Sequence, residues 1–279
     1  MTQIPNYQLN DGNLIPLLGF GTYKVQGPVG VNIMDSAINN GYRLLDSAAR
    51  YENEGAVGEA VRRSSVNRED LFITSKLPGR YQQYDQALTS IQESLYRMGL
   101  DYFDLYLIHW PNPKRGLFVE AWQALIQAQK LGLVRSIGVS NFLPEHIDKL
   151  IEETGVTPAV DQVELHPYWS EPDVVKYNSE HHILTQAWSP LGRAKKIMSE
   201  PVLQDIAAAH TKSVPQVVLR WELQLGIGVI PKANSLKHQL SNKDIFDFEL
   251  TNDEMKRISA LDEPDGRDNN QDPNVYEEL

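Results

Sequence analysis

The chain has no cysteine among its 279 residues. That excludes disulfides, a thiolate nucleophile and any thiolate-held metal. Positive charge is scarce: 26 Lys and Arg against 37 Asp and Glu leave a formal net charge of -11. So acidic a chain is expected to bind neither nucleic acid nor an anionic membrane, and a basic residue serving an anionic ligand must act locally. No apolar run approaches a membrane span in length, and residues 1–13 carry no apolar leader. A soluble, cytoplasmic protein is expected. Also missing is the glycine-rich turn of a dinucleotide-binding open sheet. No G-x-G-x-x-G follows any strand-like run, and Gly19-Phe20-Gly21-Thr22 lacks the third glycine.

What is present is alternation. Asn10-Asp11-Gly12-Asn13 between two short apolar segments reads as a hairpin turn. After it, strand-like runs near 17–20, 44–46, 72–76, 103–109, 134–140, 159–164, 184–189 and 228–231 alternate with amphipathic stretches. The stretches are 29–40, 54–63, 84–98, 118–130, 144–153, 172–180, 202–209 with 215–225, and 236–245. Strand then helix, eight times over, predicts an α/β fold: a (β/α)8 TIM barrel with an N-terminal β-hairpin and a short C-terminal tail. One domain is expected to span 1–279. A doubly wound sheet is the competing architecture, and the missing glycine-rich turn argues against it.

A barrel of this kind collects its chemistry at the C-terminal ends of the strands. Asp46, Lys76, His109, Ser140, Glu164, Ser189 and Lys232 all fall at such ends, and Tyr51 lies in the loop five residues past Asp46. Asp46, Tyr51, Lys76 and His109 together are the parts of a proton donor. A free phenol titrates near pH ~10, and a nearby Lys76 ammonium is expected to lower that value. Asp46 would hold Lys76 charged and aimed, and His109 would donate to a carbonyl oxygen as negative charge grows there. Read singly, Asp46 and Lys76 are also a structural ion pair, His109 a core imidazole and Tyr51 surface packing. Three rivals use the same positions. A metal-dependent hydrolase would use Asp46, His109, Glu164 and His166, although Lys76 puts a positive charge in that site. A glycoside hydrolase would pair Asp46 with Glu164. A cofactor-binding sensor or regulatory subunit would need the fold without the reaction.

The run Gly41-Tyr-Arg-Leu-Leu-Asp46-Ser-Ala-Ala-Arg-Tyr51 through Gly58 resembles the signature of the aldo-keto reductases. Ser136-Ile-Gly-Val-Ser140-Asn141-Phe142 and Ile230-Pro-Lys232 are similar to that family's second and third motifs, in the same order. Within the family, the short segments and the run 134–167 look nearest to bacterial 2,5-diketo-D-gluconate reductases. The resemblance implies an NADPH-dependent, monomeric oxidoreductase acting on small carbonyl compounds, with no metal. It implies that Ser140, Asn141 and Gln162 hold the nicotinamide carboxamide and that Trp188 stacks on the ring. It assigns Gly21, Thr22 and Asp46 to the same cofactor. Ser189 and Leu191, in the loop Ser189-Pro190-Leu191-Gly192, would approach the pyrophosphate, Lys232 the ribose phosphate and Asn242 the adenine. Relatives that prefer NADPH often carry Ser and Arg where this chain has Ala233 and His238. A mostly neutral imidazole lacks arginine's fork for phosphate, so NADH is expected to be accepted beside NADPH.

On the substrate side, Tyr23, Trp110 and Trp188 are expected to form an aromatic wall, with Ala49 a small contact. The loop 111–117 and the tail after Leu261 are short, which predicts a shallow, open site. Lys114 or Arg115 could draw in a keto-acid carboxylate, or simply be solvated loop charges.

Overall fold

The computed structural model describes residues 3–192, 196–269 and 271–278. A two-stranded antiparallel hairpin, β1 (Asn6–Gln8) and β2 (Leu14–Pro16), comes first. Its turn is the Asn-Asp-Gly-Asn segment, with Gly12 in the left-handed region that such a turn needs. Eight parallel strands follow: β3 (Phe20–Gly21), β4 (Leu44–Asp46), β5 (Phe72–Leu77), β6 (Phe103–Ile108), β7 (Val134–Ser140), β8 (Val160–Glu164), β9 (Leu184–Trp188) and β10 (Gly228–Val229). They pair in chain order from β3 to β10. A parallel bridge from Leu18 to Val229 joins the two ends, with Gly19 donating to the Val229 carbonyl and Val229 to that of Leu17. The sheet is therefore the predicted barrel, its first strand displaced a few residues from the predicted 17–20.

Strand periodicity separates two cores. Leu105 and Leu107 on β6 point into the barrel with Leu44, Phe72, Val160 and Leu184. Tyr106 and Ile108 point outward among the helices with Leu45, Ile73 and Val163. The strands are buried on both faces, so β4 and β6 are mostly apolar, whereas β5, β8 and β9 carry buried polar residues such as Ser75, Gln162 and Gln186. The hairpin closes the bottom: Ile15 is fully buried among the interior residues, and Asn10 and Asn13 bond Pro158 and Ser136.

The helices are α1 (Gly27–Asn39), α2 (Glu54–Arg63), α3 (Tyr84–Met98), α4 (Phe118–Lys130), α5 (Pro144–Thr154), α6 (Pro172–Glu180), α7 (Pro201–Ala209), α8 (Val214–Gln224), α9 (Leu236–Lys243) and α10 (Asn252–Ser259). All but α10 match predicted stretches. The apolar pattern of the sequence does not mark that helix, because its eight residues bury only Ile258. Its start was nevertheless written in the chain, since Thr251 and Glu254 form a reciprocal capping box. At Gly58 a Cβ would meet the Met98 carbonyl at 1.8 Å, so only glycine lets α2 lie this close to α3.

Candidate active site

Parity along the strands aims the predicted residues. Asp46 lies two positions after Leu44, Lys76 four after Phe72, and His109 two after Leu107, so each continues an inward-pointing series. They emerge together at the C-terminal mouth. Lys76 is fully buried and donates to both Asp46 oxygens at 2.9 and 2.7 Å and to the Ser47 carbonyl at 2.8 Å. Tyr51 is carried by a 3-10 turn, Ala49–Tyr51, just past β4. Its hydroxyl stands 3.5 Å from the Lys76 ammonium, and its ring meets that of His109 edge-on at 5.8 Å. All four members of the predicted tetrad come together.

Their electrostatics differ from expectation. Desolvation, then the charges of Asp46 and Glu278 and the neighbouring phenol of Tyr23, push the Tyr51 phenol well above its ordinary value. The predicted depression by Lys76 is overturned because Asp46 already neutralises that ammonium and adds its own repulsion. Lys76 itself is pulled down by desolvation, against the opposing pull of Asp46 and Glu278. The outcome is a phenol that stays protonated across neutral pH.

A second group continues from the tetrad around the mouth. Gln162 gives its amide nitrogen to Asp46 and to Gln186, each at 2.8 Å. Ser140 donates to the Gln162 carbonyl at 2.7 Å. Asn141 has a left-handed backbone, donates to the His109 carbonyl, and accepts the Trp188 indole N–H at 2.8 Å. Ser140, Asn141, Gln162 and Trp188 therefore lie side by side, one hydrogen bond from Asp46. Thr22 is buried and bonded to the Asp46 carbonyl and to Asn53, so its hydroxyl braces the site from behind. At Gly21 a Cβ would meet the Ile230 carbonyl at 2.6 Å, which closes β3 tightly on the segment leading to Lys232.

Beyond β10, Lys232 is exposed and has no acidic partner among the described residues. Desolvation, then the charge of Lys24, lowers its pKa. Two neighbouring ammoniums without a counter-ion make a local basic spot on an acidic protein, and Lys24 was not singled out in the sequence. Ala233 is buried, His238 is exposed in the first turn of α9, and Asn242 is buried on the same helix. Ser189 and Gly192 have left-handed backbones, and the Gly192 N–H turns back onto the Ser189 carbonyl around the half-buried Leu191.

The expected shallow, open mouth is a correction. The tail folds back across the barrel top. Tyr276 packs on Trp110 at 4.5 Å, so the Trp110 ring is covered and not an open wall. Asn112 clasps the backbone of Glu278, donating to its carbonyl at 2.7 Å and accepting its N–H at 3.1 Å. Glu278, 1% exposed, places a carboxylate oxygen 2.8 Å from His109 Nδ1. Tyr23 is half exposed above the Tyr51 ring and Ala49 is half-buried in the turn that carries it. Arg115 donates to the Gly79 carbonyl and so fastens the loop. The guanidinium at the mouth is instead Arg50, 3.6 Å from Glu278.

The ligand set of the metal rival does not assemble among the described residues. Asp46 is held by Lys76 and Gln162, whereas Glu164 and His166 gather with Asp268. Glu164 accepts the Asp268 backbone N–H at 2.6 Å, a tether for the tail.

Comparison with known proteins gives a consistent result. The profile of the Aldo/keto reductase family matches residues 17–263. The 2,5-diketo-D-gluconic acid reductase B of Corynebacterium sp. is 48% identical over 279 residues, covering 100% of both chains. The methylglyoxal reductase DkgA of Escherichia coli is 42% identical, covering 92% of this chain and 94% of that one. Among solved structures, a mutant of Gox0644 in complex with NADPH superposes with a TM-score of 0.94 at 36% identity, over 99% of this chain and 100% of the other.

Proposed function

The chain belongs to the Aldo/keto reductase family, an oxidoreductase using a nicotinamide cofactor, and from that premise we propose its particular reaction. It reduces small aldehydes, ketones and dicarbonyls, keto-sugars of the 2,5-diketo-D-gluconate type among them, taking NADPH as cofactor and Tyr51 as proton donor. The observation that carries this reading is the buried Lys76–Asp46 pair with the Tyr51 hydroxyl 3.5 Å from the ammonium.

The residues present fit the cofactor. Lys232, with Lys24 beside it, offers uncompensated positive charge to a phosphate. Trp188 is partly exposed and offers a ring face, while Ser140, Asn141 and the Gln162 side-chain oxygen offer polar atoms beside it. Gly21, Ser189, Leu191 and Asn242 are assigned to the same molecule by the resemblance alone. NADPH, when bound, supplies the hydride.

The protein handles the proton and the oxygen. Because its pKa is raised, Tyr51 keeps its proton until an alkoxide more basic than itself forms in front of it. Lys76 then stabilises the phenolate at close range, and Asp46 keeps Lys76 from turning away. His109 faces the carbonyl oxygen opposite Tyr51. Asp46 is neutralised by Lys76, which makes it a poor glycosidase acid or nucleophile. A sensor on this fold would have no use for a proton donor so arranged. The resemblance supports a cytoplasmic monomer, which size-exclusion chromatography tests.

The discriminating assay follows NADPH and NADH absorbance with methylglyoxal, 2,5-diketo-D-gluconate and a simple aldehyde in parallel. Turnover of at least one carbonyl is expected. A folded protein that consumes neither cofactor with any of them would return the weight to the sensor reading.

A further inference from the structure

The tail residue Glu278 is more deeply buried than most carboxylates. One side-chain oxygen accepts the Gly79 N–H at 3.0 Å, and the other lies 2.8 Å from His109 Nδ1 and 3.6 Å from Arg50. Its backbone is pinned on both sides by Asn112, 166 positions earlier. Desolvation would raise its pKa, but His109, the Gly79 N–H and Arg50 outweigh it and hold Glu278 below the usual carboxylate value. The acid is therefore ionised where it touches the ring.

His109 Nδ1 is the buried ring nitrogen, and the contact is an ion-pair distance with no well-aligned hydrogen bond. The ring is 9% exposed, and Nδ1 is not the nitrogen that faces solvent. A carboxylate against one imidazole nitrogen decides which nitrogen carries hydrogen. The charged groups around the pair are Arg50 from the turn after β4, Asp46 on β4 and Lys76 on β5, with the Tyr51 phenol beside them.

We propose that Glu278 is a positioning residue for His109: it holds hydrogen on Nδ1 of the neutral ring and so sets Nε2 as the nitrogen that meets the substrate oxygen. On this arrangement a neutral His109 presents a lone pair at Nε2. It donates to a carbonyl oxygen only after taking a second proton, and the resulting imidazolium is paired with Glu278. The donor role expected of His109 from the sequence then belongs to the imidazolium. The active site is completed from the far end of the chain. The catalytic consequence rests on the reductase reading, whereas the assignment of the hydrogen does not.

Two-bond proton–nitrogen spectra of histidine-labelled protein test this directly, at a pH that leaves the ring neutral. The His109 signals are identified by their loss in H109Q. Wild type is expected to carry hydrogen on Nδ1. E278Q is expected to carry it on Nε2, because the amide oxygen keeps the Gly79 contact and the amide N–H faces Nδ1. In turnover, E278Q should lose about ten-fold in kcat, because the imidazolium that donates in wild type loses its paired carboxylate and only a weaker neutral donor remains, with KM for NADPH unchanged. Hydrogen on Nε2 in wild type overturns the proposal even if E278Q fails to fold, and so does one tautomer shared by both proteins. A wild type that shows the Nδ1 tautomer but reduces no carbonyl upholds the pairing and removes the reductase reading instead.

Discussion

Lys76 grips both carboxylate oxygens of Asp46, at 2.9 and 2.7 Å, from a position with no solvent exposure. The pair is the floor on which Tyr51 stands. A buried ion pair is costly to break from one side, because the survivor keeps its charge without its partner. Asp46→Ala is therefore expected to lower stability by about 3–5 kcal/mol, measured by urea unfolding. Lys76→Met should cost a similar amount and in addition lower kcat/KM by roughly 100-fold or more, since the phenolate loses its cation. A Lys76→Met protein with near-normal turnover would contradict the role given to the ammonium.

Asp161 lies on the outward face of β8, fully buried, and among the described residues Asn178 and the Phe142 backbone N–H are the groups that favour its charge. Desolvation lifts its carboxyl from 3.8 to about 8. A folded state that binds this proton more tightly than the unfolded chain is favoured below pH ~4, and that advantage is lost as the pH rises toward 8. Asp161→Asn removes the titration while keeping an acceptor for Phe142. The variant is expected to be more stable than wild type at pH ~8, by an amount on the order of a few kcal/mol, and level with it at pH ~4. Parallel pH-dependences of the two melting temperatures would contradict this.

His238 sits exposed in the first turn of α9, and Ala233 offers no hydroxyl. NADPH is expected to exceed NADH in kcat/KM by less than several hundred-fold. The double variant A233S/H238R should widen that ratio, because arginine presents a two-pronged donor to a phosphate. An unchanged ratio in the double variant, or a wild-type ratio above several hundred, contradicts the expectation.

The Tyr276 ring covers Trp110 at 4.5 Å. Tyr276→Ala should uncover that indole and raise kcat/KM for an aromatic aldehyde relative to methylglyoxal by several-fold. If both substrates change in proportion, the tail does not shape the mouth in this way.

Much of this was legible in the chain, and for a definite reason. Asp46, Lys76 and His109 each break an apolar run at its last inward position, so residue type and strand period together aimed them. The hairpin was marked by its turn, and the helices by their 3.6-residue pattern. The tail was not legible. It has no period, and it is held by isolated long-range bonds such as Asn112 to Glu278 and Tyr276 to Trp110. Counting its length suggested an open site, whereas its last described residue proves the most deeply engaged. The Tyr51 phenol was misjudged in direction because Lys76 was counted as a free charge. In the folded chain, desolvation and the charges of Asp46 and Glu278 decide the direction.

The account stands on Tyr51 as the proton donor. The most direct measurement is the rate of NADPH consumption with a saturating dicarbonyl, for wild type and Tyr51→Phe, beside the NADPH dissociation constant of each. The phenyl ring keeps the packing against Tyr23 and His109 and loses only the hydroxyl. Turnover is predicted to fall by at least about 100-fold while the dissociation constant stays within a small factor. Comparable turnover in the two proteins would contradict the assignment, whatever the cofactor affinity.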